Sequence, residues 1–470
     1  MIRRIKQDWF SNIRADVLAG ITTVLALIPD SLAFAFIAGV NPIISIMSSI
    51  SILILISFFG GRPAMVSTTA GSMAVLMTAL VATHGVEYLF AATILTGIIQ
   101  YLMGRFKMGR WMSFVPNSVI TGFINSLAIL IFISQLRYFD GQSWGMYAMV
   151  AVTLVMIYII PKFMKTIPSP LVAVVVMTLF VFFVPGSLQT VGDIAAIDSS
   201  SVNWFHIPMV PLNLETLWII FPVALSLAIV GYSETLLTQT IIDEMTDTKT
   251  DKDKEMRGQG IANAVTGFVG GMAGCALIAE SAINVKVGGR GGLSTLVAAV
   301  MLLLLVFVLD DLLNIIPVAA LVGVMMMVCI EIFDWSFIRH IKAKPFVHTF
   351  IVLVTMVVMV STHNLALGVI VGVVISVIVY AYRSASQLDV QKECLSNQSI
   401  YRVKGQLFFV SSHTLLDCID FADPAETICL DLRGAHIRDH TAKQTLDKIV
   451  ARLSEKGKKV EVVQSQKQSA

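Results

Sequence analysis

The residues of this chain best suited to handling an ion lie in the stretch GGMAGCALIAESAINVKVGGRGG, residues 270–292. An uncharged approach, Gly270 to Ile278, runs into a short helix-like segment, Ala279 to Val287, with glycine pairs at both ends. A spanning helix needs about 20 apolar residues, so this one is too short and too broken by glycine to cross a membrane alone. At membrane depth such a segment must lie inside protein, where its start faces a cavity. Free N–H groups and roughly half a positive charge at a helix start suit an anion. A second wall is legible at Ser67 to Ser72, a run of hydroxyls and small residues that lets an ion approach the backbone. Two half-helices meeting there would form an anion pocket without a fixed cation. Thr69, Ala70 and Gly71 would touch the anion on one side, and Ala276, Leu277, Ile278 and Ala279 on the other, mostly through backbone N–H groups. The competing reading of the hydroxyl run is helix-packing glue.

Three acids accompany these walls. Glu234 lies within the apolar run VALSLAIVGYSETLLTQT, with Thr238 four residues on and therefore on the same helical face. A carboxylate in hydrocarbon costs several kcal/mol, so Glu234 must face a polar cavity or carry a proton; a structural, hydrogen-bonded acid is the alternative. Asp30 follows Pro29, where the proline frees a carbonyl and bends the helix, so Asp30 either joins the polar site or caps the second half of its helix. Glu280 stands about one turn from the proposed anion site, which is electrostatically wrong unless it is neutral. Either it takes a proton and couples transport to it, or it turns toward Lys286 or Arg290.

The elements that must position these residues are membrane spans. The chain is 56% hydrophobic and 14% charged, with a mean hydropathy of +0.81, which places it among polytopic membrane proteins. A net charge of +2 gives no footprint for nucleic acid, and five cysteines without a CxxC pair suggest reduced thiols. Residues 1–14 suggest an amphipathic helix on the inner membrane surface, and the first apolar run is too long for a signal peptide. Fourteen apolar segments follow, at roughly 15–38, 43–59, 67–82, 86–104, 114–136, 145–161, 168–184, 214–244, 257–272, 277–287, 292–309, 315–333, 345–361 and 364–383. With the N-terminus inside, the inner connections hold twenty Lys and Arg residues and the outer ones hold Arg137 alone. That asymmetry obeys the positive-inside rule and puts both ends of the membrane part, hence both termini, on the cytoplasmic side of the cell membrane.

The chain also echoes itself. Pro116 precedes Gly122 as Pro317 precedes Gly323, and Gly60-Gly61 precedes the third segment as Gly270-Gly271 precedes the tenth. An odd number of spans per repeat, seven here, inverts the second copy, and broken segments at matching positions point to a transporter site. The expected organisation is thus a first repeat over 15–184, an outer loop over 185–213, a second repeat over 214–384, and a linker with a soluble domain over 385–470. In that last part the pattern predicts strands at Tyr401–Val403, Leu407–Val410, Thr427–Leu432 and Lys459–Val463, with helices near 412–420 and Thr441–Lys456, a small α/β domain.

With these residues laid out, the chain resembles the sulfate permease (SulP) family of anion transporters, ending in a truncated STAS domain. The resemblance rests on LALIPDSLAFAFIAGVNP (25–42), FGGRPAMVSTTAGSMAV (59–75), FHIPMVPLNLETLW (205–218), YSETLLTQTIIDEMTDT (232–248), the stretch at 271–294 and IPVAALVGVMMMV (316–328). It implies a seven-plus-seven inverted repeat, with segments 1–4 and 8–11 as a substrate-carrying core and 5–7 and 12–14 as a gate. It also implies a homodimer in the lipid bilayer carrying a small anion such as sulfate, bicarbonate, chloride or a dicarboxylate. Glu234 and Thr238 match positions that hold sodium in sodium-coupled members, and Asp30 falls where the family often has a Gln or Glu facing the site. Glu280 departs from the family pattern, as does His440, which stands where related regulatory domains carry a phosphorylatable serine. The resulting expectation is a secondary transporter of sulfate, bicarbonate or dicarboxylate by alternating access, coupled to sodium or protons, with no cofactor and no structural metal. Its rivals are an uncoupled channel or exchanger of the same fold, a membrane anchor serving the soluble domain, and a nucleobase transporter. No nucleophile–base pair, phosphate loop or metal cluster suggests an enzyme.

Overall fold

The computed structural model describes residues 9, 12–108, 116–163, 168–183, 189–194, 205–211, 213–308, 310–339, 346–362, 365–386, 388–395 and 397–464. The amphipathic N-terminal helix and the last six residues fall outside these, save Trp9, whose ring stacks on Phe58 at 4.8 Å, and residues 12–14. Among the described residues, fourteen principal helices follow the fourteen predicted segments. In the first repeat they are α1 (Ile13–Ala38), α2 (Pro42–Phe59), α3 (Gly71–His84), α4 (Val86–Arg105), α5 (Asn117–Leu136), α6 (Trp144–Phe163) and α7 (Ser169–Phe183). In the second they are α8 (Leu214–Thr246), α9 (Lys252–Phe268), α10 (Ile278–Val287), α11 (Gly292–Val308), α12 (Val318–Ile332), α13 (Phe346–Thr362) and α14 (Leu365–Ser386). By length and composition six helices among the described residues pass as membrane spans on their own. The others are shorter apolar helices, or sit beside breaks such as the 112° bend between α10 and α11.

The ends follow local chemistry. Asn41 caps α2 ahead of Pro42, and Asn213 caps α8. Asp251 caps α9, which therefore begins at Lys252, five residues before the predicted segment, and stops at Phe268. The missed feature is between α2 and α3. Ser67–Thr69 form a strand, β1, that pairs antiparallel with β2 (Gly274–Ala276), Ser67 opposite Ala276 and Thr69 opposite Gly274.

The repeat seen in the glycine spacing is physical. A Cβ on Gly122 of α5 would come within 2.8 Å of Thr355 on α13, and one on Gly323 of α12 within 2.8 Å of Thr153 on α6. Each repeat thus lays its glycine on the other's threonine. The core helices interlock as tightly: a Cβ on Gly97 of α4 would lie 2.2 Å from the Ala264 nitrogen of α9. Close backbone approach through small residues is how helices associate where no hydrophobic force drives them.

The chain divides into two compact units, residues 1–372 and 373–470. The second contains a four-stranded sheet in the order β3 (Asp389–Leu395), β4 (Gln398–Leu407), β5 (Thr427–Ile437), β6 (Lys459–Val463). β3 and β4 are antiparallel, whereas β4, β5 and β6 are parallel neighbours. Helices α15 (Ser411–Cys418) and α16 (His440–Glu455) supply the crossovers. Two expectations fail here. The stretch read as linker contains β3, an edge strand whose polar residues hide its alternation. The strands predicted at Tyr401–Val403 and Leu407–Val410 are one continuous β4 that ends at Leu407. It passes through Gly405 at φ +119° and a register shift between Arg402 and Lys404, which disguise the period.

Candidate functional site

The site is built on the β1–β2 ladder. Because the strands are antiparallel and each leads into a helix, α3 and α10 leave the ladder in opposite directions, and their positive ends face each other across it. Their N-caps are Ala70 and Leu277, and neither helix receives a side-chain cap. The same chain places Asn or Asp at the caps of α2, α8 and α9. Leaving two helix starts to apolar residues leaves their N–H groups to some other partner.

Polar side chains from the neighbouring helices hold the ladder in place. Asn263 of α9 takes both backbone groups of Gly274, its Oδ1 accepting from the Gly274 N–H at 2.9 Å and its Nδ2 donating to the Gly274 carbonyl at 3.0 Å. Gln259 donates to the same carbonyl at 2.9 Å, and Gln100 of α4 accepts from Asn263 at 2.7 Å. The Met272 N–H donates to Ser48 of α2, and the Val66 N–H donates to Ser281 of α10.

This scaffold sorts the seven anion contacts expected from sequence. The Thr69 hydroxyl is hydrogen-bonded to Ser45 and Ser49 of α2, and its N–H reaches Ser49. The Ala276 N–H donates to Thr235, and the Leu277 N–H to the Val66 carbonyl at 2.9 Å. These three residues therefore fix the ladder. Ala70 and Gly71 lie at the start of α3, buried, and Ile278 and Ala279 form the first turn of α10 with their side chains exposed. The helix-start backbone without a side-chain cap is theirs.

Glu234 reaches the start of α3 from α8. Its Oε2 accepts from the Ser72 hydroxyl at 2.6 Å and from the Cys275 thiol at 2.7 Å. One turn along, Thr238 donates to the Ala276 carbonyl at 3.3 Å. Glu234 also lines a cavity of about 20 Å³ together with Ser233, Leu237 and residues of the other helix group, Val119, Ile120, Phe123 and Val369. That is room for about one water. Glu234 thus sits where the core faces the gate. Ser72 and Cys275 escaped the sequence reading as its partners, since a serine in a hydroxyl run and a lone thiol carry no pairing signal.

Asp30 and Glu280 come together, both buried, from α1 and α10. Glu331 is a further nearby acid. Glu280 is buried and forms no ion pair with Lys286 or Arg290 among the described residues; Arg290 instead donates to the carbonyls of Val285 and Gly289. At the end of the core toward the Gly60–Arg62 turn, Arg62 is committed to Asp243 at 2.9 Å, and Glu255 accepts from the Gly61 and Arg62 N–H groups. No group of three metal-ligating side chains occurs among the described residues.

The arrangement has solved and curated relatives. The profile of the Sulfate permease family matches residues 13–148 and 142–355. A Bacillus subtilis protein, YbaR, provisionally named a sulfate transporter, is 50% identical over 458 residues, covering 97% of this chain and 96% of its own. The bicarbonate transporter BicA of a Picosynechococcus species is 30% identical over 363 residues, 70% of this chain and 64% of its own length. Among solved structures, the transmembrane domain of a cyanobacterial BicA superposes with a TM-score of 0.70 at 26% identity, covering 76% of this chain and 97% of that one. The murine Solute Carrier 26 family member A9 anion transporter, in its inward-facing state, gives 0.84 at 18% identity, covering 97% and 86%, a likeness of fold alone.

Proposed function

Because the chain belongs to the sulfate permease family, and so is a multi-pass membrane transporter of anions rather than an enzyme, we propose that it carries a small oxoanion of the sulfate or bicarbonate class. The observation that carries this reading is the pair of uncapped helix starts, Ala70–Gly71 and Ile278–Ala279, facing each other across the ladder. Peptide dipoles hold an anion there without a fixed cation. The relatives' names supply sulfate and bicarbonate, and a dicarboxylate is a further candidate.

Transport is by alternating access, the core of α1–α4 and α8–α11 rocking against α5–α7 and α12–α14. A coupling cation travels with the anion. Glu234 and Thr238 bind it beside the start of α3, and the Asp30–Glu280 pair takes up a proton near the start of α10. The protein works in the cell membrane, as a homodimer, with both termini cytoplasmic. Uptake of labelled sulfate and bicarbonate into proteoliposomes, with sodium and pH gradients varied separately, tests this. Uptake that follows one gradient is expected; uptake indifferent to both would leave an uncoupled exchanger.

A further inference from the structure

Arg137 is the single Lys or Arg that the sequence places on the outer connections. It begins the short 3-10 turn Arg137–Phe139 that ends α5. It lines a cavity of about 590 Å³ whose walls come from both helix groups: Ile37, Val75, Leu76 and Ala79 of the core, and Leu130 and Ile133 of α5. It also lines an adjoining cavity of about 470 Å³ with Phe36, Asn41 and Tyr138. Among the described residues of both linings it is the one charged side chain.

Its partners leave that charge uncompensated. Nη2 donates to the Phe36 carbonyl at the end of α1 and to the Tyr138 hydroxyl. The Tyr138 hydroxyl and the Gly39 N–H donate to that same carbonyl. Among the described residues no carboxylate forms an ion pair with Arg137. Two hydroxyls of the larger lining donate elsewhere: Thr78 to the Ile37 and Ala74 carbonyls and Ser134 to the Ile131 carbonyl. The guanidinium is thus the charged donor of a mostly apolar chamber, where low-dielectric walls focus its field. Val75, on the chamber wall, is one helical turn from Gly71 at the positive end of α3.

The geometry points to an outer anion-collecting site at Arg137, which gathers the oxoanion in this vestibule before it reaches the helix starts. A guanidinium presents a planar fork to an oxoanion and holds it in two parallel bonds. This rests on the transport reading and the sidedness given above.

In oriented proteoliposomes, Arg137→Gln raises the KM for external labelled sulfate or bicarbonate about tenfold, the loss of one charge-assisted contact. The maximal rate stays within about twofold, and the KM difference shrinks at high salt as the field is screened. Arg137→Lys restores most of the affinity, and KM from the inner face does not change. An unchanged external KM, or a fall in maximal rate from both faces that Lys does not repair, makes Arg137 a structural clamp on Phe36 and overturns the proposal. A second readout needs no transport: sulfate, against chloride at equal ionic strength, slows phenylglyoxal modification of Arg137 in detergent-solubilised protein. Protection in a protein that moves neither anion keeps this site and sinks the transport reading, whereas equal modification in both salts removes the site.

Discussion

Glu234 accepts two hydrogen bonds on a single oxygen, from Ser72 and Cys275, so the other oxygen is the one available to a cation. Glu234→Gln keeps the shape and removes the charge, and coupled uptake should fall at least about tenfold while unfolding temperature holds. Unchanged gradient-driven uptake would take the coupling ion away from this residue. The Asp30–Glu280 pair gives a pH prediction with a definite sign. Uptake driven by a proton carried on that pair, as proposed, should decline with rising pH. Glu280→Gln should flatten that profile, and an unaltered profile would remove the pair from coupling. Glu234 was legible from sequence because a charge in an apolar run must be accounted for. The Asp30–Glu280 contact was not, because two acids 250 residues apart give no sign of pairing until α1 and α10 are packed together.

The ladder is the decisive element, and sequence concealed it. Three-residue strands of serine, threonine, glycine and alanine have no alternation to read. Only the broken segments around them were visible. Its support came from Gln259 and Asn263, which are one turn apart on α9 and face β2 together. Asn263→Leu strands the buried Gly274 N–H, at a cost of about 1–3 kcal/mol, and should lower the unfolding temperature and abolish uptake together. Gly274→Ala is harsher, since its Cβ would lie 2.0 Å from the Thr68 carbonyl oxygen. Full activity in either variant would mean that the helix starts do not depend on this pairing.

At the scale of the whole chain, hydropathy, loop charge and the echoed Pro and Gly positions were enough for fourteen segments in two repeats. Gly122 on Thr355 and Gly323 on Thr153 show why: the same small-residue contact is made twice with the repeats exchanged. The C-terminal unit was less legible because β3 is a polar edge strand. That unit carries its own pH signature. Burial would push the Asp423 carboxyl up, but the Lys392 ammonium at 2.8 Å, the Ala425 N–H and the Tyr401 hydroxyl hold it down at about 2, against an ordinary 3.8. Its folded-state value is depressed, so its stabilisation is present above pH 3.8 and lost as pH falls toward 2. Hydrogen exchange across 397–464 should loosen over that window, and Asp423→Asn should remove the part due to this carboxylate.

The central claim, that an anion rests on peptide dipoles between two opposed half-helices, is tested most directly by a structure of the protein with selenate, located by selenium anomalous scattering. The peak should lie between the starts of α3 and α10, within hydrogen-bond reach of the Gly71 and Ala279 amides. A protein with selenate bound elsewhere and nothing between those helix starts would contradict the account.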